Sequence, residues 1–419
     1  PAGSLLIPKS GASVALNIIA NRSIAEIEDN AVLTGAGALS LSANAADAID
    51  TEARAGAAGG VALTPAVALT MADDTTTAQL GLLTGVQAAD GDVTISAVQQ
   101  AKETTIASGK SSGSKAAIGA ALALALVNDE VTATTERSID ATGGITFTAM
   151  GASLGSLTAT ASAAGAAADN GSGGSSDGSG TVDDKVNGEL GNASSKQSDA
   201  KVGDSAQSTQ TSSEATGPSA EKSRSASSNG SKVSVAAAVA VNVQDATVSA
   251  AVPDSLTITS GGTLKVEAVN NTAGVLDADG TAVGGENAAK IGIGAAVSVN
   301  LVHATNDATL GDGTYSVGAV DVEALKSNIA DLVAHPSDPA NPLADAYQAT
   351  ARAGAGGTTV GIAGALGLNL IDTESSATIA VVAAVPLTGT DAVPLLADNE
   401  TSSTATALPA APDPSKPGD

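Results

Sequence analysis

Residues 291–302 read IGIGAAVSVNLV, and this short stretch decides the fold. Every second residue from Ile291 to Leu301 is apolar, whereas the residues between them are Gly, Ala, Ser and the single amide Asn300. A period of two predicts a β-strand, because successive side chains of a strand point to opposite faces. The second face lacks the charged or long polar residues of a solvated side. We therefore expect this small-residue face to lie against another sheet, a loop or a neighbouring molecule.

The same segment recurs six times, aligned on the position of Asn300. The aligned positions, called anchors here, are Asn17, Thr70, Ala125, Asn242, Asn300 and Asn369. They are spaced by 53, 55, 117, 58 and 69 residues. In all six copies the residues three before, one before and one after the anchor are Val, Leu, Ile or Met. Stacked repeats place like residues in columns, so we predict that these aliphatic columns form the core.

A second motif, apolar-x-apolar-x-Ala, follows each anchor and has an ordinary polar face. Its copies are LSLSA (39–43), VTISA (93–97), ITFTA (145–149), LKVEA (264–268), VDVEA (320–324) and VPLLA (393–397). Gly-rich turn signals precede most copies. The last copy contains Pro394, which suits an edge or terminal strand because proline cannot donate a backbone hydrogen bond.

Two strand motifs per unit, joined by turns and repeated head to tail, predict an all-β fold. We interpret it as a β-solenoid, similar to a parallel β-helix, of about six wide coils over residues 1–407. One wide coil per unit is favoured over two small coils, because the two motifs differ consistently and alternate. An Ala-rich helix disagrees with the period of two, and tandem immunoglobulin-like domains need longer units.

Three segments depart from the repeat. Residues 170–232 are rich in Ser, Gly, Asp and Lys, which predicts a long flexible insertion and explains the spacing of 117 residues. A smaller excursion at 334–347 explains the spacing of 69, and residues 408–419 read as a Pro-rich tail or linker. The chain starts with neither Met nor a basic and apolar leader, so we expect a processed chain or a piece of a longer one.

Composition argues against several classes of function. The chain has 18 Lys and Arg against 44 Asp and Glu, and the net charge of −26 repels nucleic acid and anionic membranes. No stretch approaches the ~20 consecutive apolar residues of a membrane-spanning helix. Without Cys the fold does not rely on disulfides. Phe147, Tyr315 and Tyr347 are the only aromatic residues, too few for the core and pocket walls of an ordinary enzyme.

No constellation of residues indicates catalysis, and we predict that the protein is not an enzyme and needs no organic cofactor. His303 and His335 are the only histidines, and their sequence settings are unrelated. Glycosidase chemistry needs two carboxyl groups across a cleft, usually with aromatic residues that stack on the sugar. Adjacent acidic residues, all expected in turns or loops, are Asp73 and Asp74, Asp129 and Glu130, and Asp183 and Asp184.

Calcium is the one metal that the sequence suggests. Asp277, Asp279 and Gly280 in LDADGT resemble the first half of a calcium-binding loop, with oxygen ligands at alternate positions. The bidentate Glu expected at the twelfth position is absent, because Ala288 stands there. A plain Asp-Gly turn is the alternative.

The Asn anchors form a column that we interpret as structural. Stacked Asn side chains can donate hydrogen bonds to one another along the axis of a solenoid. The predicted ladder consists of Asn17, Asn242, Asn300 and Asn369.

Units such as IGIGAAVSVNLVHATNDATLGDGTYSVGAVDVEA (291–324) resemble the repeats of large bacterial surface or secreted proteins of the filamentous-haemagglutinin and giant-adhesin type. The resemblance implies an exported β-solenoid used for adhesion, contact or matrix building, with no catalytic residues. We therefore expect an extracellular or cell-surface protein that self-associates into a fibre or sheet-like assembly, with a cell-surface or glycan partner. The alternatives are a carbohydrate-binding or carbohydrate-acting β-helix and, less favoured, an ice-binding solenoid. The outward Thr array that an ice-binding solenoid needs would begin with Thr94, Thr146 and Thr148, but it is not sustained in the later repeats.

Overall fold

A computed structural model of the chain describes residues 9–164, 233–282, 289–326, 346–382, 385–387, 389 and 393–409. The predicted insertion at 170–232 lies outside the described residues, as do residues 334–345 of the smaller predicted excursion and residues 410–419 of the predicted tail. Ala346 and Tyr347 begin a strand, and Leu408 and Pro409 end the last strand. All regular elements of the described part are β-strands.

The seventeen strands follow one another along the chain without helices among the described residues. They are β1 (Lys9–Ser10), β2 (Ser13–Ile27), β3 (Leu39–Leu80), β4 (Val86–Ala89), β5 (Val93–Thr135), β6 (Ser138–Ala141), β7 (Ile145–Ala164), β8 (Val233–Val252), β9 (Thr257–Ser260), β10 (Thr263–Ala282), β11 (Ala289–Leu310), β12 (Thr314–Ser316), β13 (Ala319–Leu325), β14 (Ala346–Ala355), β15 (Gly357–Ile379), β16 (Leu395–Ala397) and β17 (Ser402–Pro409).

Every ladder between these strands is parallel, and its register follows the repeats. Asn17 pairs with Thr70, Thr70 with Ala125, Ala125 with Asn242, Asn242 with Asn300, and Asn300 with Asn369. The second motif is equally in register, since Leu41, Ile95, Phe147, Val266, Val322 and Leu395 pair in turn. The predicted all-β class is confirmed, and the alignment of the repeats made from the sequence is the strand register of the structure.

The strands form two long layers and one short side. The anchor layer contains β2, the second halves of β3 and β5, and β8, β11 and β15. The motif layer contains the first halves of β3 and β5, then β7, β10, β13 and β14, with β16 and β17 at its end. A separate sheet of four short strands, β4, β6, β9 and β12, forms the third side.

The interior has two zones of different width. Where the three sides meet, a wide core holds large side chains such as Phe147, Tyr315, Ile258 and Leu264. Farther from the short side the two long layers approach each other, and a thin core there consists almost entirely of Ala. A Cβ atom added at Gly280 would lie 1.7 Å from the carbonyl oxygen of Ala295 in the opposite layer. Only very small side chains fit between the layers at such a distance.

This closeness reverses the predicted roles of the two faces of the anchor strands. The small-residue face does lie against another sheet, as expected, since Ala296 and Ser298 are 1% and 0% exposed. The prediction that the aliphatic columns form the core is wrong, because they point outward. Val14 and Leu16 of the first rung are 75% and 58% exposed. Their side chains are too large for the gap between the layers, so Ala, Ser and Asn occupy it instead.

Candidate functional site

The outer face of the anchor layer carries an aliphatic strip that crosses all six rungs. The strip is defined by Val14, Leu16, Ile18, Val67, Leu69, Met71, Leu122, Leu124, Leu126, Val239, Val241, Val243, Val297, Val299, Leu301, Leu366, Leu368 and Leu370. In the inner rungs these side chains shield one another along each column and most are half-buried. In the terminal rungs they are open, as Ile18 and Leu370 show with 66% and 54% exposure. Contiguous apolar surface of this extent is unusual unless it binds something.

A groove of about 630 Å³ runs along one margin of the strip. One wall is formed by the last aliphatic column, from Ile18 to Leu370. The other side holds a row of six residues of which three are Asp, called the acidic row: Ala20, Asp73, Asn128, Asp245, His303 and Asp372. His303 lies in this row with its Nδ1 atom 3.2 Å from Asp372. The groove is therefore mostly apolar, with the acidic residues Asp73 and Asp245 along one side.

The outer face of the motif layer has the opposite chemistry. Lys265 lies 3.0 Å from Glu267 on its own strand, and 4.0 Å from Asp321 and 3.6 Å from Glu323 on the neighbouring strand. Burial lowers the pKa of Lys265, but the hydrogen bond and charge of Glu267, with the two neighbouring acids, raise it overall. This face matches the polar face predicted for the second motif.

The predicted calcium residues lie within strand β10 and not in a turn, so the predicted loop is wrong. Asp277 faces outward and accepts two hydrogen bonds from Nη1 of Arg352, at 2.6 and 2.8 Å. Asp279 accepts a hydrogen bond from Thr281, and burial raises its pKa. Among the described residues no three His, Cys, Asp or Glu side chains lie close enough together to hold a metal ion. Asp277 therefore forms an ion pair with Arg352 on the neighbouring strand β14.

The Asn anchors lie in the gap between the layers. Asn242 donates a hydrogen bond to the Oδ1 atom of Asn300 at 3.0 Å, which is the predicted bond along the column. Asn300 and Asn369 instead donate across the gap, to the carbonyl oxygens of Gly274 at 2.9 Å and Tyr347 at 3.2 Å. Asn17, at the edge, belongs to the same column by register. The column thus ties the two layers together as well as successive rungs.

Thr70 stands where the Asn column is interrupted and serves the same purpose. Its hydroxyl lies 2.8 Å from that of Thr51 and 2.6 Å from that of Thr105, both in the motif layer. Ala125 continues the column without a polar group. The gap at this level therefore contains a seam of short polar side chains.

A cluster of carboxyl groups lies beside this seam and was not predicted. Its members are Asp74 and Asp129, which pair in register in the anchor layer, together with Asp47 and Glu103 from the motif layer. Asp74 and Glu103 are 0% exposed, and Asp129 is 4% exposed. Gln99 donates a hydrogen bond to Asp129 at 2.7 Å, and Asn21 donates one to Asp47 at 2.7 Å. Neither carboxyl oxygen of Glu103 has a hydrogen-bond partner among the described residues.

The cluster favours protonated carboxyl groups. Burial raises the pKa of Asp129 to about 7, and the charge of Asp74 adds to this while Ser153 and Gln99 oppose it. Burial and the charge of Asp47 raise the pKa of Asp74 to about 6. Burial, followed by the charge of Asp129, holds the pKa of Glu103 well above its ordinary value. Buried carboxyls in apolar surroundings avoid ionisation because water no longer solvates the charge.

Two of the acidic pairs predicted to lie in turns are therefore in strands. In each pair one carboxyl faces inward and the other outward, because neighbouring residues of a strand point to opposite sides. Asp74 and Asp129 are buried, whereas Asp73 and Glu130 are exposed. The pair Asp183 and Asp184, like His335, lies outside the described residues. The clue to the cluster was the parity of Asp74 and Asp129, which both fall on the small-residue face.

Arg137 is a second residue that the sequence did not single out. Its side chain is buried at the corner between β5 and β6. The guanidinium donates hydrogen bonds to the carbonyl oxygens of Gly81, Ala31, Ile27 and Glu28. It thereby satisfies the backbone groups where the chain leaves the anchor layer, which is a structural role.

No helix in the described residues has the length and apolar character needed to cross a membrane. Comparisons with known protein families, characterised proteins and solved structures find no match to this chain.

Proposed function

We propose that the chain is a wide, flattened β-solenoid that serves outside the cell as a non-enzymatic structural or adhesive element. The observation that carries the proposal is the unbroken register of the six anchors, from Asn17 to Asn369. Parallel ladders that join each repeat to the next are what a solenoid requires. Most of the described residues belong to strands of this stack.

The pairing also supports one wide coil per repeat. Ile145 in the second motif pairs with Val93 of the preceding repeat, and Leu264 pairs with Ile145 in turn. Between these partners the chain passes once through the anchor layer and once along the short side. Two small coils per repeat would require pairing at half this separation.

The arrangement of polar groups favours a structural role. Asp74, Glu103 and Asp129, whose pKa values are raised, are buried between the layers, where a substrate could reach them only if the fold opened. The groove that does reach solvent is lined on one side by aliphatic side chains. Catalytic sites usually combine a concave pocket with perturbed titratable groups, and here these two features are separated.

Placement outside the cell rests on sequence features. The high negative charge favours solubility, the absence of Cys fits a secreted bacterial protein, and the repeats resemble those of exported adhesins. A surface with many like repeats also suits contact with another surface or with further copies.

The carbohydrate alternative has less support. Protein sites for sugars usually contain exposed aromatic rings, and Phe147, Tyr315 and Tyr347 are all buried, at 0%, 1% and 0% exposure. An ice-binding face would need a sustained outward Thr array, whereas the outward positions of the motif layer pass to Lys265, Asp321 and Glu323.

Antibody labelling of intact producing cells and of their culture medium tests the proposed function. The proposal expects label at the cell surface or in the medium before the cells are broken. Label that appears only after lysis would overturn it. Far-UV circular dichroism of the purified chain tests the fold separately, and a mainly helical spectrum would contradict the solenoid.

A further inference from the structure

We propose that the aliphatic strip is the surface through which two copies of this chain pack face to face. This inference rests on the structural role proposed above and names the partner and the surface for self-association. The starting point is that the strip is wide, uncharged and unlike the charged outer face of the motif layer.

The strip is large enough for a stable interface. The apolar face continues from the strip through two further columns, one of Ala, Pro and Gly and then one that includes Leu63, Ile118, Val235, Ile293 and Ile362. Six rungs of about 4.8 Å and about ten residues of about 3.3 Å give about 900 Å², close to the ~800 Å² that each partner contributes to a standard interface. Monomeric proteins commonly expose scattered apolar residues, but a contiguous apolar surface of this size is unusual on them.

The longest segment outside the described residues, 165–232, has few side chains that could cover the strip. It contains only four large aliphatic residues, namely Val182, Val186, Leu190 and Val202. The strip alone has eighteen large apolar positions. A second copy is the partner whose apolar surface matches in area, spacing and chemistry, because its own strip presents the same columns.

The geometry of the columns favours self-packing. Aliphatic columns run along the stack and are separated by the two-residue period of the strand, so ridges of one copy fit the furrows of another. Such dry packing of like columns is the arrangement seen in steric zippers. A two-fold symmetric contact makes the same patch serve both partners.

The acidic row selects between two ways of forming this pair. A two-fold axis parallel to the strands would place the acidic row of each copy against that of its partner, where Asp73 and Asp245 would repel. An axis parallel to the stack puts the two rows at opposite edges of the interface. Like charges across an interface are strongly unfavourable, so we expect the second arrangement.

Sedimentation equilibrium of the full chain tests the inference. We expect the wild type to form dimers at about 50 µM. The variant V241K/V299K places charges at the centre of the strip and should weaken dimerisation about 30-fold or more. The milder variant V241T/V299T keeps strand-forming residues of similar size and should weaken dimerisation in the same direction. The matched control T146K/T158K changes outward residues of the motif layer and should dimerise as the wild type does.

Salt dependence provides an independent readout. Because each copy carries the same negative charge, dimerisation should become tighter between low salt and about 0.5 M NaCl, as screening removes repulsion. Contacts held by ion pairs would instead weaken. Circular dichroism of each variant shows whether it folds, and the threonine variant preserves the test if the lysine variant does not.

A wild type that stays monomeric at these concentrations would overturn the inference, as would a V241K/V299K variant that dimerises like the wild type. Binding of the wild type, but not of V241K/V299K, to phosphatidylcholine vesicles without dimerisation would assign the strip to a lipid surface and overturn it too. The proposed function is judged separately by the labelling of intact cells. Dimers through the strip in a protein confined to the cell interior would sustain this inference while defeating that function.

Discussion

The two long layers of this protein share one interior but have contrasting exteriors. Inside, both layers present Ala and short polar groups, as Ala240 and Ala159 illustrate with 0% exposure each. Outside, the anchor layer presents Val241 and its neighbours, whereas the motif layer presents Lys265 with its acidic partners. Alternation along a strand therefore marks two faces without saying which one faces solvent. The width of the gap between the layers decides that, because it admits only the smaller set of side chains.

The largest expected effect concerns the interior that both layers share. Asp129 has its pKa raised from 3.8 to about 7 in the folded protein, so the folded state binds a proton that the unfolded state has lost between these values. Stability is then greatest at low pH and falls as pH rises through 7. We expect Asp129 alone to lower the free energy of unfolding by about 3 kcal/mol between pH 5 and pH 8.

Urea denaturation at several pH values measures this effect. D129N should lose the part of the slope with pH that belongs to Asp129, while Asp74 and Glu103 keep theirs. It should be more stable than the wild type at pH 8, since the amide needs no proton to stay neutral. E130Q is the matched control, because Glu130 is the outward neighbour on the same strand. A wild type more stable at pH 8 than at pH 5 would show that the cluster of Asp47, Asp74, Glu103 and Asp129 does not behave as described.

The next effect contrasts the inner and outer faces of one strand. Ala240 lies in the thin core, so A240L should overpack the gap and destabilise the protein by about 3 kcal/mol. V241L changes an outward residue and should alter stability by less than about 0.5 kcal/mol. Guanidinium denaturation of both variants measures the difference in stability. Equal losses of stability would mean that the inner and outer faces of the strand are equivalent.

The register and the polar face of the second motif were predictable from the sequence, because columns of like residues follow directly from stacking. The inside–outside assignment was not, since large aliphatic residues ordinarily mark a core. The carboxyl cluster was missed because Asp74 and Asp129 were expected in turns or loops, whereas both lie in strands with their side chains on the small-residue face. Asp277 and Asp279 were placed in a turn because Asp and Gly favour turns. In the structure Arg352 on the next strand pairs with Asp277, a contact between residues 75 positions apart in the sequence that local turn preferences do not reveal.

A smaller effect concerns the polar seam that joins the layers. N242A removes the donor to Asn300 and leaves its Oδ1 atom buried without that partner, which should cost about 2 kcal/mol. N369A lies in the terminal rung, where water can replace the lost bonds, and should cost less than about 1 kcal/mol. Thermal or urea unfolding of the two variants compares them. A larger loss for N369A would contradict the account of the seam.

The smallest effect belongs to the charged exterior. Lys265 is partly exposed, at 31% of its side chain, so K265A should lower stability by about 0.5 kcal/mol and the loss should shrink in high salt. Urea titrations at low and high salt measure it. High salt should therefore weaken the contribution of Lys265 to stability, whereas it should strengthen dimerisation through the aliphatic strip. A loss above about 2 kcal/mol would mean that the motif layer depends on its ion pairs.

Thiol labelling of single-cysteine variants tests the central claim most directly, because the chain has no cysteine of its own. A240C and V241C differ by one position in the same strand and point to opposite faces. In dilute folded protein, V241C should react with a thiol reagent, although more slowly than in denaturant because its neighbours half-bury it, whereas A240C should react only after unfolding. Rapid labelling of A240C with protection of V241C would show that the aliphatic columns form the core after all.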